Sequence, residues 1–411
     1  MPSHTIVCLS SQSWDEPLWT NKQHIMSRLA LEHRVIHVDF GLRPLPSYLW
    51  LRARARPADL LHPARLLTDG VMPRGGNLYV ADSWNPTLTG LLPMRHPVRD
   101  FFSYDAKVLM VRRFLERIGA DDPIVWVYHP GYAEAIERLP RKLLVYDCVD
   151  EYTAFPKYRP VAAWIAERER RLCAKADVVF TTSRTLYESK RPLAPDRTFL
   201  VHNVGDAEHF ARAADPDLPI PADIAAIRVR GPIIGFVGAV SDYKLDVQWL
   251  LHAARSRRDW QIVVVGPVGL ADPSTDVSQL RREPNVSLLG VRPYVDLPAV
   301  IKGFDVAVIP YRRNDYTAGV FPIKFFELLA TGKPVVISDL PSLSDFHRDV
   351  LVADSAEAFV ARCEEALHVG GAASRMAIAR ENSWPQRIAT MMGHIEARLA
   401  HRAEESHAGA A

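Results

Sequence analysis

Short apolar runs recur along the whole chain of 411 residues and alternate with segments of helical periodicity. Continuous runs rich in β-branched residues predict strands of parallel sheets that helices cover on both faces. In the first half of the chain these runs are TIVCLS, RVIHVD, NLYVA, PIVWVY, KLLVYD, DVVFTT and TFLVH. In the second half they are PIIGFVG, QIVVVG, NVSLLG, DVAVIP and KPVVIS. The pattern therefore predicts an α/β protein with Rossmann-like, doubly wound parallel sheets.

One stretch without a strand pattern separates the two sets of runs. Residues 211–232 are rich in Pro, Ala and Asp and predict a linker. Because a chain of this length is long for one hydrophobic core, we expect two domains, residues 1–210 and 233–382. Residues 383–400 predict a helix that returns toward the first domain, and residues 401–411 predict a flexible tail. Doubly wound sheets bind ligands at the carboxyl ends of their strands, so the loops there are expected to carry the chemistry.

The composition is that of a soluble globular protein, with 48% hydrophobic and 24% charged residues and a net charge of +2. This balance does not favour nucleic acid as a partner. No apolar run reaches the roughly 18 residues that span a bilayer, and the N-terminus lacks the layout of a signal peptide, so we expect a cytoplasmic protein. The four cysteines are scattered without a C-x-x-C pair, which predicts buried, reduced thiols and neither disulfides nor a zinc site.

Two segments, residues 47–67 and 95–119, mix basic and apolar positions. One interpretation is a pair of solvated surface helices. The other is an interfacial patch that contacts anionic lipid.

The segment GVFPIKFFELLATGKPVVISDLP, residues 319–341, contains one acid in an apolar setting. It predicts a helix that begins near Pro322, a left-handed turn at Gly332 and then a buried strand. The helix is apolar on nearly every face except at Glu327, in its middle. A buried carboxylate needs hydrogen-bond donors, which the adjacent hydroxyls of a ribose would supply. The alternatives are that Glu327 reaches solvent or pairs with a core arginine.

Two junctions between a strand and a helix are candidate anion sites in the second half of the chain. In the first, a buried strand ends at Gly238, Lys244 follows, and a helix starts near Asp246, whose free N–H groups would favour an anion. The alternative is an ordinary turn. The second junction is the polar loop before the helix that carries Lys324. A diphosphate bound at both junctions, with a ribose on the acid, would make a sugar-nucleotide site.

Polar residues follow two of the buried strands predicted in the first half. His129 is a candidate sugar contact, or alternatively a ring packed against Pro130 and Tyr132. Asp147 and Asp150 follow the next strand, and Asp150 is the stronger candidate because it lies further into the loop.

FPIKFFELLATGKPVVISDLP resembles the signature of the retaining glycosyltransferases of family 4, which have the GT-B fold of two Rossmann-like domains facing across a cleft. The stretch NVSLLGVRPYVDLPAVIKGFDVAVIPY is similar to the same family, as are YDCVDEYTAF, ADVVFTTSRTL and ENSWPQRI. The resemblance implies that Glu327 matches the second Glu of the E-x7-E motif, which binds the nucleotide ribose. It also implies that Lys244, six residues after Gly238, matches the loop lysine that binds the diphosphate.

The chain departs from the family pattern at two positions. Gly319 stands where the first Glu of the motif belongs, and Ala239 stands where an Arg is expected. In the family that first Glu contacts the transferred sugar, a role that Asp315 or Asn314 could take here. The run GVFPIKFFE resembles a branch of the family that lacks this Glu and is associated with cell-surface and capsular polysaccharide assembly.

The resemblance implies a hexosyltransferase that uses a nucleotide-diphosphate sugar, with UDP favoured over GDP, and that retains the anomeric configuration. The acceptor would be a glycan, a lipid-linked glycan or a small molecule, with no cofactor or metal and with peripheral contact at the inner face of the membrane. The predicted catalytic residues are His129, Asp150 and Lys244. The predicted donor-binding residues are Gly238, Lys244, Lys324, Glu327, Asp315, Thr317 and Val320. The alternatives are a GT-B nucleotide-sugar epimerase and a catalytically inactive binding partner.

Overall fold

The computed structural model describes residues 4–16, 18–40, 43–44, 48–50, 70–82, 84–85, 92–270 and 272–408. The chain divides into two compact units. The first unit comprises Met1–Thr181, Leu186–Val201 and Ile388–Ala411, and the second comprises Thr182–Thr185 and His202–Arg387.

The first unit is built on an eight-stranded sheet. Its strands are β1 (Thr5–Leu9), β2 (Arg34–Val38), β4 (Val71–Gly75), β5 (Leu78–Ala81), β7 (Ile124–Val127), β8 (Leu143–Cys148), β9 (Val178–Thr181) and β10 (Thr198–Leu200). Two short strands, β3 (Arg43–Pro44) and β6 (Trp84–Asn85), pair with each other outside this sheet. The strand order is β10-β9-β8-β7-β1-β2-β5-β4, and β4 alone runs antiparallel to its neighbour. The order therefore reverses between β1 and β7.

The helices of the first part of the chain cover this sheet. Those whose bounds lie within the described residues are α1 (Asn21–Leu29), α2 (Pro97–Asp100), α3 (Ala106–Ile118), α4 (Ala162–Lys175) and α5 (Arg184–Lys190). A π-helical turn, Phe101–Asp105, joins α2 to α3, so the helix predicted over residues 95–119 is irregular in its first half. It ends at Gly119, whose φ of 62° is the left-handed conformation that glycine adopts at low cost.

The second unit contains a six-stranded, fully parallel sheet. Its strands are β11 (Ile233–Val237), β12 (Gln261–Val265), β13 (Val286–Gly290), β14 (Val306–Ile309), β15 (Val335–Ser338) and β16 (Leu351–Ala353). The strand order is β13-β12-β11-β14-β15-β16, so the direction of winding reverses between β11 and β14. The central strands are buried because helices lie on both faces, as continuous apolar runs require.

The helices of the later part of the chain are short except for the last. They are α6 (Ala207–Ala211), α7 (Ala222–Arg228), α8 (Val247–Ser256), α9 (Ser278–Arg282), α10 (Leu297–Lys302), α11 (Asp315–Gly319), α12 (Lys324–Ala330), α13 (Ala356–Ala366), α14 (Ala372–Glu381) and α15 (Trp384–Ala408). Helix α15 begins within the second unit, and its residues from Ile388 onward are grouped with the first.

The structure confirms the predicted fold class and all of the strands that the apolar runs predicted. It differs from two other expectations. Residues 211–232, the predicted linker, belong to the second unit, because Ile224 and Ile227 of α7 are buried in its core. Helix α15 continues to Ala408, through the first residues of the predicted flexible tail. Most of the basic segment at residues 47–67 lies outside the described residues.

All four cysteines are buried and free, as predicted. Among the helices in the described parts of the chain, none has the length and apolarity that crossing a membrane requires.

Candidate functional site

The carboxyl ends of β11 and β14 are neighbours at the point where the strand order of the second sheet reverses. The loops that follow these strands are joined by an antiparallel bridge between Leu245 and Tyr311. The N–H of Arg312 also donates to the carbonyl of Lys244 at 2.8 Å. Ligands of doubly wound sheets bind at such a switch point, so these paired loops form the candidate site.

Two lysines share one buried tyrosine at this switch point. Lys244 Nζ lies 5.0 Å from the centroid of the Tyr311 ring, and Lys324 Nζ lies 5.4 Å from it. The Tyr311 residue is only 1% exposed. Burial lowers the pKa of Lys324, Tyr311 opposes that shift, and the charge of Lys244 adds to it. Burial raises the pKa of Tyr311, but the charges of Lys244 and Lys324 outweigh burial and leave that pKa below its usual value. An anion bound here would relieve the repulsion between the two ammonium groups.

Gly238 is required where it stands, directly after β11. Its φ of 144° is a conformation that residues with a side chain rarely adopt. A Cβ atom at this position would lie 1.9 Å from Lys324 Nζ. That ammonium donates to the carbonyl of Val237 at 2.6 Å and lies 4.2 Å from the centroid of the Phe236 ring. Gly238 therefore makes room for the lysine beside the end of the strand.

Glu327 lies one turn after Lys324 on α12 and is partly exposed. The hydroxyl of Tyr294 donates to Glu327 Oε1 at 2.9 Å. Burial raises the pKa of Glu327 to about 7, while the hydrogen bond from Tyr294 and the charge of Lys324 oppose the shift. The structure gives this carboxylate a tyrosine hydroxyl, which the sequence did not suggest, and leaves the side chain partly exposed to solvent.

The starts of helices α8 and α12 differ from the anion-binding helix ends that the sequence predicted. Helix α8 begins after Asp246 as predicted, but the carboxylate of Asp246 accepts from the N–H of Gln248 at 3.1 Å. An acid of the protein thus already caps this helix. Helix α12 begins at Lys324, later than predicted, and is only 7 residues long. Positive charge at the site therefore comes from the lysine side chains more than from helix ends.

The three candidates in the loop before α12 have different surroundings. Asp315 is exposed at the start of α11. Thr317 is fully buried, where its hydroxyl donates to the carbonyl of Arg312 and its N–H donates to Asn314 Oδ1 at 2.9 Å. Val320 is also buried. The side chains of Thr317 and Val320 therefore pack within the loop, and their contact with a donor stays a prediction.

His129 follows β7 in the first unit and is completely buried. Its Nδ1 accepts from the N–H of Gly131 at 3.0 Å, which leaves the ring proton on Nε2. The ring centroid lies 4.8 Å from that of Phe40 and 4.8 Å from that of Tyr152. Burial lowers the pKa of His129 to about 3, so the ring is neutral near pH 7. Its Nε2 has no hydrogen-bond partner among the residues that the structure describes.

Asp150 follows β8 in the same unit and is partly exposed. Burial raises the pKa of Tyr158 to about 12, and the charge of Asp150 adds to this shift. The Tyr158 ring centroid lies 5.6 Å from that of His129, and Lys157 Nζ lies 4.8 Å from it. His129 and Asp150 thus lie around Tyr158, whereas Gly238, Lys244, Lys324 and Glu327 are grouped in the second unit.

Three residues of interest were not predicted from the sequence. Tyr311 follows Pro310 at the end of β14. Its position directly after a predicted strand could have identified it as a candidate site residue. Tyr294 follows β13 at a distance, and no sequence pattern relates it to Glu327. Lys107 is completely buried in the first unit, where its ammonium donates to the carbonyls of Asp39 at 2.6 Å and Phe40 at 2.5 Å. Burial lowers the pKa of Lys107 to about 7.

Comparison with known proteins gives a consistent result. Residues 231–368 match the family model described as glycosyl transferases group 1. The chain is 28% identical over 280 residues to TuaH of Bacillus subtilis (strain 168), a protein provisionally named a teichuronic acid biosynthesis glycosyltransferase. That match covers 63% of this chain and 68% of TuaH.

Solved structures resemble the whole chain in fold. Sucrose-phosphate synthase from Thermosynechococcus elongatus has a TM-score of 0.67 at 15% identity, covering 97% of this chain and 100% of that one. HepE of Anabaena, in complex with UDP, has a TM-score of 0.62 at 15% identity, with the same coverage. The E. coli trehalose-6-phosphate structure bound to UDP-2-fluoro glucose has a TM-score of 0.67 at 11% identity, covering 95% and 98%. The chain therefore has the GT-B fold, and its residues 231–368 match the model of group 1 glycosyl transferases.

Proposed function

We propose that this chain is a glycosyltransferase of the retaining type, and that its second unit binds a nucleotide-diphosphate sugar. The observation that carries the proposal is the pair of Lys244 and Lys324 around Tyr311, with Glu327 one turn further along α12. Two cations held together in a partly buried site favour an anion with several charges, such as a diphosphate. Glu327 is an acceptor for two adjacent ribose hydroxyls on the same ligand.

In the proposed reaction, the bond between the anomeric carbon and the β-phosphate oxygen breaks, and its electron pair stays on the phosphate. The acceptor hydroxyl forms the new bond to the same carbon, and its proton passes to the diphosphate, the base that this step generates. Negative charge grows on the β-phosphate as the sugar leaves. Lys244 and Lys324 stabilise that charge, so their interaction strengthens in the transition state.

The proposal also specifies the nucleotide base of the donor and the residues that contact the sugar. UDP is favoured over GDP because two of the similar solved structures were bound to UDP or a UDP-sugar. Asp315, exposed at the start of α11, is the side chain that replaces the acid missing at Gly319. His129 is proposed to donate its Nε2 proton to a sugar hydroxyl, since a pKa of about 3 does not suit it to proton transfer.

The acceptor is proposed to be a growing cell-surface glycan, bound by the first unit with Asp150 among its contacts. The similarity to TuaH supports this class of acceptor. Peripheral contact with anionic membrane from the cytoplasmic side belongs to the same proposal. It is supported by Val98 and Phe101, which are 46% and 43% exposed beside the basic residues Arg95 and Arg99.

The test is calorimetric binding of UDP and GDP, followed by turnover of UDP-hexoses with and without a glycan acceptor. Saturating ligand should also raise the unfolding temperature, since a ligand at 100 times its Kd adds about 2.7 kcal/mol to stability. We expect UDP to bind and Lys324→Ala to weaken it, while Lys175→Ala, at an exposed pair with Glu137, should have no effect. Release of UDP on glycosyl transfer, with a product of retained configuration by NMR, would support the proposal.

Other outcomes would replace the proposal with an alternative. An altered UDP-sugar formed without acceptor would identify an epimerase. Binding without transfer or hydrolysis of any UDP-hexose would identify an inactive binding partner. Failure of both UDP and GDP to bind would refute the donor site itself.

A further inference from the structure

The hydroxyl of Tyr294 is the hydrogen-bond donor seen on the Glu327 carboxylate. We infer that Tyr294 is a positioning residue for the nucleotide ribose site: it holds the Glu327 carboxylate oriented for the ribose hydroxyls. This inference rests on the proposed function, because it assigns a supporting role within the same donor site. Tyr294 lies within the stretch NVSLLGVRPYVDLPAVIKGFDVAVIPY, but no pattern in the sequence assigned it a role at the donor site.

The Tyr294 ring is held by a different segment of the chain. It lies in a short 3-10 helix after β13, and its centroid is 4.8 Å from that of His209 with the two planes 11° apart. His209 Nε2 also lies 3.0 Å from the carbonyl oxygen of Tyr294. Phe210 packs edge-on against the same ring at 5.5 Å. Helix α6 therefore fixes the direction in which the Tyr294 hydroxyl points, although the residue is 37% exposed.

Glu327 is confined from a second direction by Gly205. A Cβ atom on Gly205 would lie 2.6 Å from the backbone nitrogen of Glu327 and 2.8 Å from its Cγ. The backbone of residue 205 therefore packs directly on the acid. With Gly205 against its stem and Tyr294 on Oε1, the carboxylate has little freedom to turn before a ligand arrives.

This arrangement leaves acceptor capacity for a ligand. A carboxylate has two oxygens with about four lone-pair sites, and Tyr294 occupies one of them. A ribose diol can therefore bond to the same acid without displacing the tyrosine. An acceptor that is already oriented loses less conformational entropy when the ligand binds, and this is the physical advantage of the contact.

The contact has a second, pH-dependent consequence, which involves the titratable and charged groups on the elements around Glu327. Lys324 lies on the same helix, Asp206 precedes α6, and His209 lies on α6. Arg375 on α14 donates at 3.0 Å to the carbonyl of Gly332, which lies just beyond the end of α12. The hydrogen bond from Tyr294 lowers the pKa of Glu327 against the effect of burial. Removing the hydroxyl should therefore raise the pH above which the acid is ionised and able to accept from both ribose hydroxyls.

The test is UDP binding by calorimetry between pH 6 and 9, for wild type, Tyr294→Phe, Glu327→Gln and the double variant. Tyr187→Phe, which removes a hydroxyl from α5 in the other unit, is the matched control. We expect Tyr294→Phe to weaken UDP about 5-fold at pH 8 and to move the midpoint of the pH profile upward. In the Glu327→Gln background, the same substitution should have a smaller effect, because the amide still accepts from Tyr294 but the carboxylate that accepts from both ribose hydroxyls is gone.

Inorganic pyrophosphate provides a probe that contacts the lysines without a ribose. Tyr294→Phe should leave pyrophosphate affinity unchanged. Equal weakening of UDP and pyrophosphate, additive effects in the double variant, or an unmoved pH midpoint would overturn the inference while the proposed function stands. If wild type binds neither UDP nor GDP, the proposed function fails first and the role of Tyr294 in ribose binding fails with it.

Discussion

Replacing Glu327 with Gln should make the protein more stable at alkaline pH while weakening its donor site. The substitution keeps the shape of the side chain and an oxygen that can accept from Tyr294, but it removes the ionisable group. In the folded protein burial raises the pKa of this acid from 4.5 to about 7. The folded state therefore binds the proton more tightly than the unfolded chain does.

The sign of the effect follows from proton linkage. Between about pH 4.5 and 7 the unfolded chain has released this proton while the folded protein retains it, so the free energy of unfolding falls as the pH rises. Above about pH 7 both states are ionised and the loss is complete. The Gln variant lacks this loss. Its stability relative to wild type should be near zero at pH 5 and positive at pH 8.

The size of the gain can be bounded from the pKa shift. At about 1.36 kcal/mol per pKa unit, the shift from 4.5 to about 7 corresponds to at most about 3.4 kcal/mol. Because Glu327 is partly exposed, solvent screens its charge, and we expect about 1–2 kcal/mol. For a unit of this size, that gain raises the unfolding temperature by roughly 2–8 °C.

The assay is thermal unfolding of wild type and Glu327→Gln at pH 5 and pH 8, with Glu188→Gln, at an exposed site on α5, as the control. The same protein samples serve for UDP titration, where loss of charged hydrogen bonds worth roughly 1.5–3 kcal/mol should weaken binding about 10- to 100-fold. A misfolded variant would lose both stability and UDP affinity. A rise in unfolding temperature together with a loss of UDP affinity therefore distinguishes the predicted effect from misfolding. Equal unfolding temperatures of the two proteins at pH 8, or unchanged UDP affinity, would refute the reasoning.

Three further predictions concern other residues of the chain. Lys244→Ala should lower kcat about 10²–10³-fold and change donor Kd less, whereas near-normal turnover would remove its role on the departing diphosphate. Tyr311→Phe removes the hydroxyl shared by the two lysines and should weaken UDP several-fold with little loss of stability, and equal affinity would mean that the phenol is only packing. Wild-type protein should sediment with anionic vesicles at low salt and detach in 1 M NaCl, where the Debye length is about 3 Å, and Phe101→Ser should reduce sedimentation. If the protein stays in the supernatant at low salt, the surface around Phe101 is not a membrane contact.

The sequence by itself determined the two sheets and the acid at the centre of the candidate site. The apolar runs fixed the strands because buried parallel strands must be apolar on both faces, and this demand is local. The helix around Glu327 and the left-handed Gly332, with φ of 73°, were predictable for the same reason: capping and glycine signals act within a few residues. The lysines were found because each lies at a junction between a predicted strand and a predicted helix.

Only the tertiary structure decided which groups share a site. Tyr311 lies beside Lys244 because the loops after β11 and β14 pair, and Tyr294 reaches Glu327 from a segment 33 residues away in sequence. The structure also shows that Thr317 and Asp246 take part in capping α11 and α8, and that His129 is buried beside aromatic rings. Hydrogen bonding and burial depend on neighbours that folding brings from distant parts of the chain. A sequence pattern therefore shows that a polar residue is out of place, but the fold decides what that residue binds.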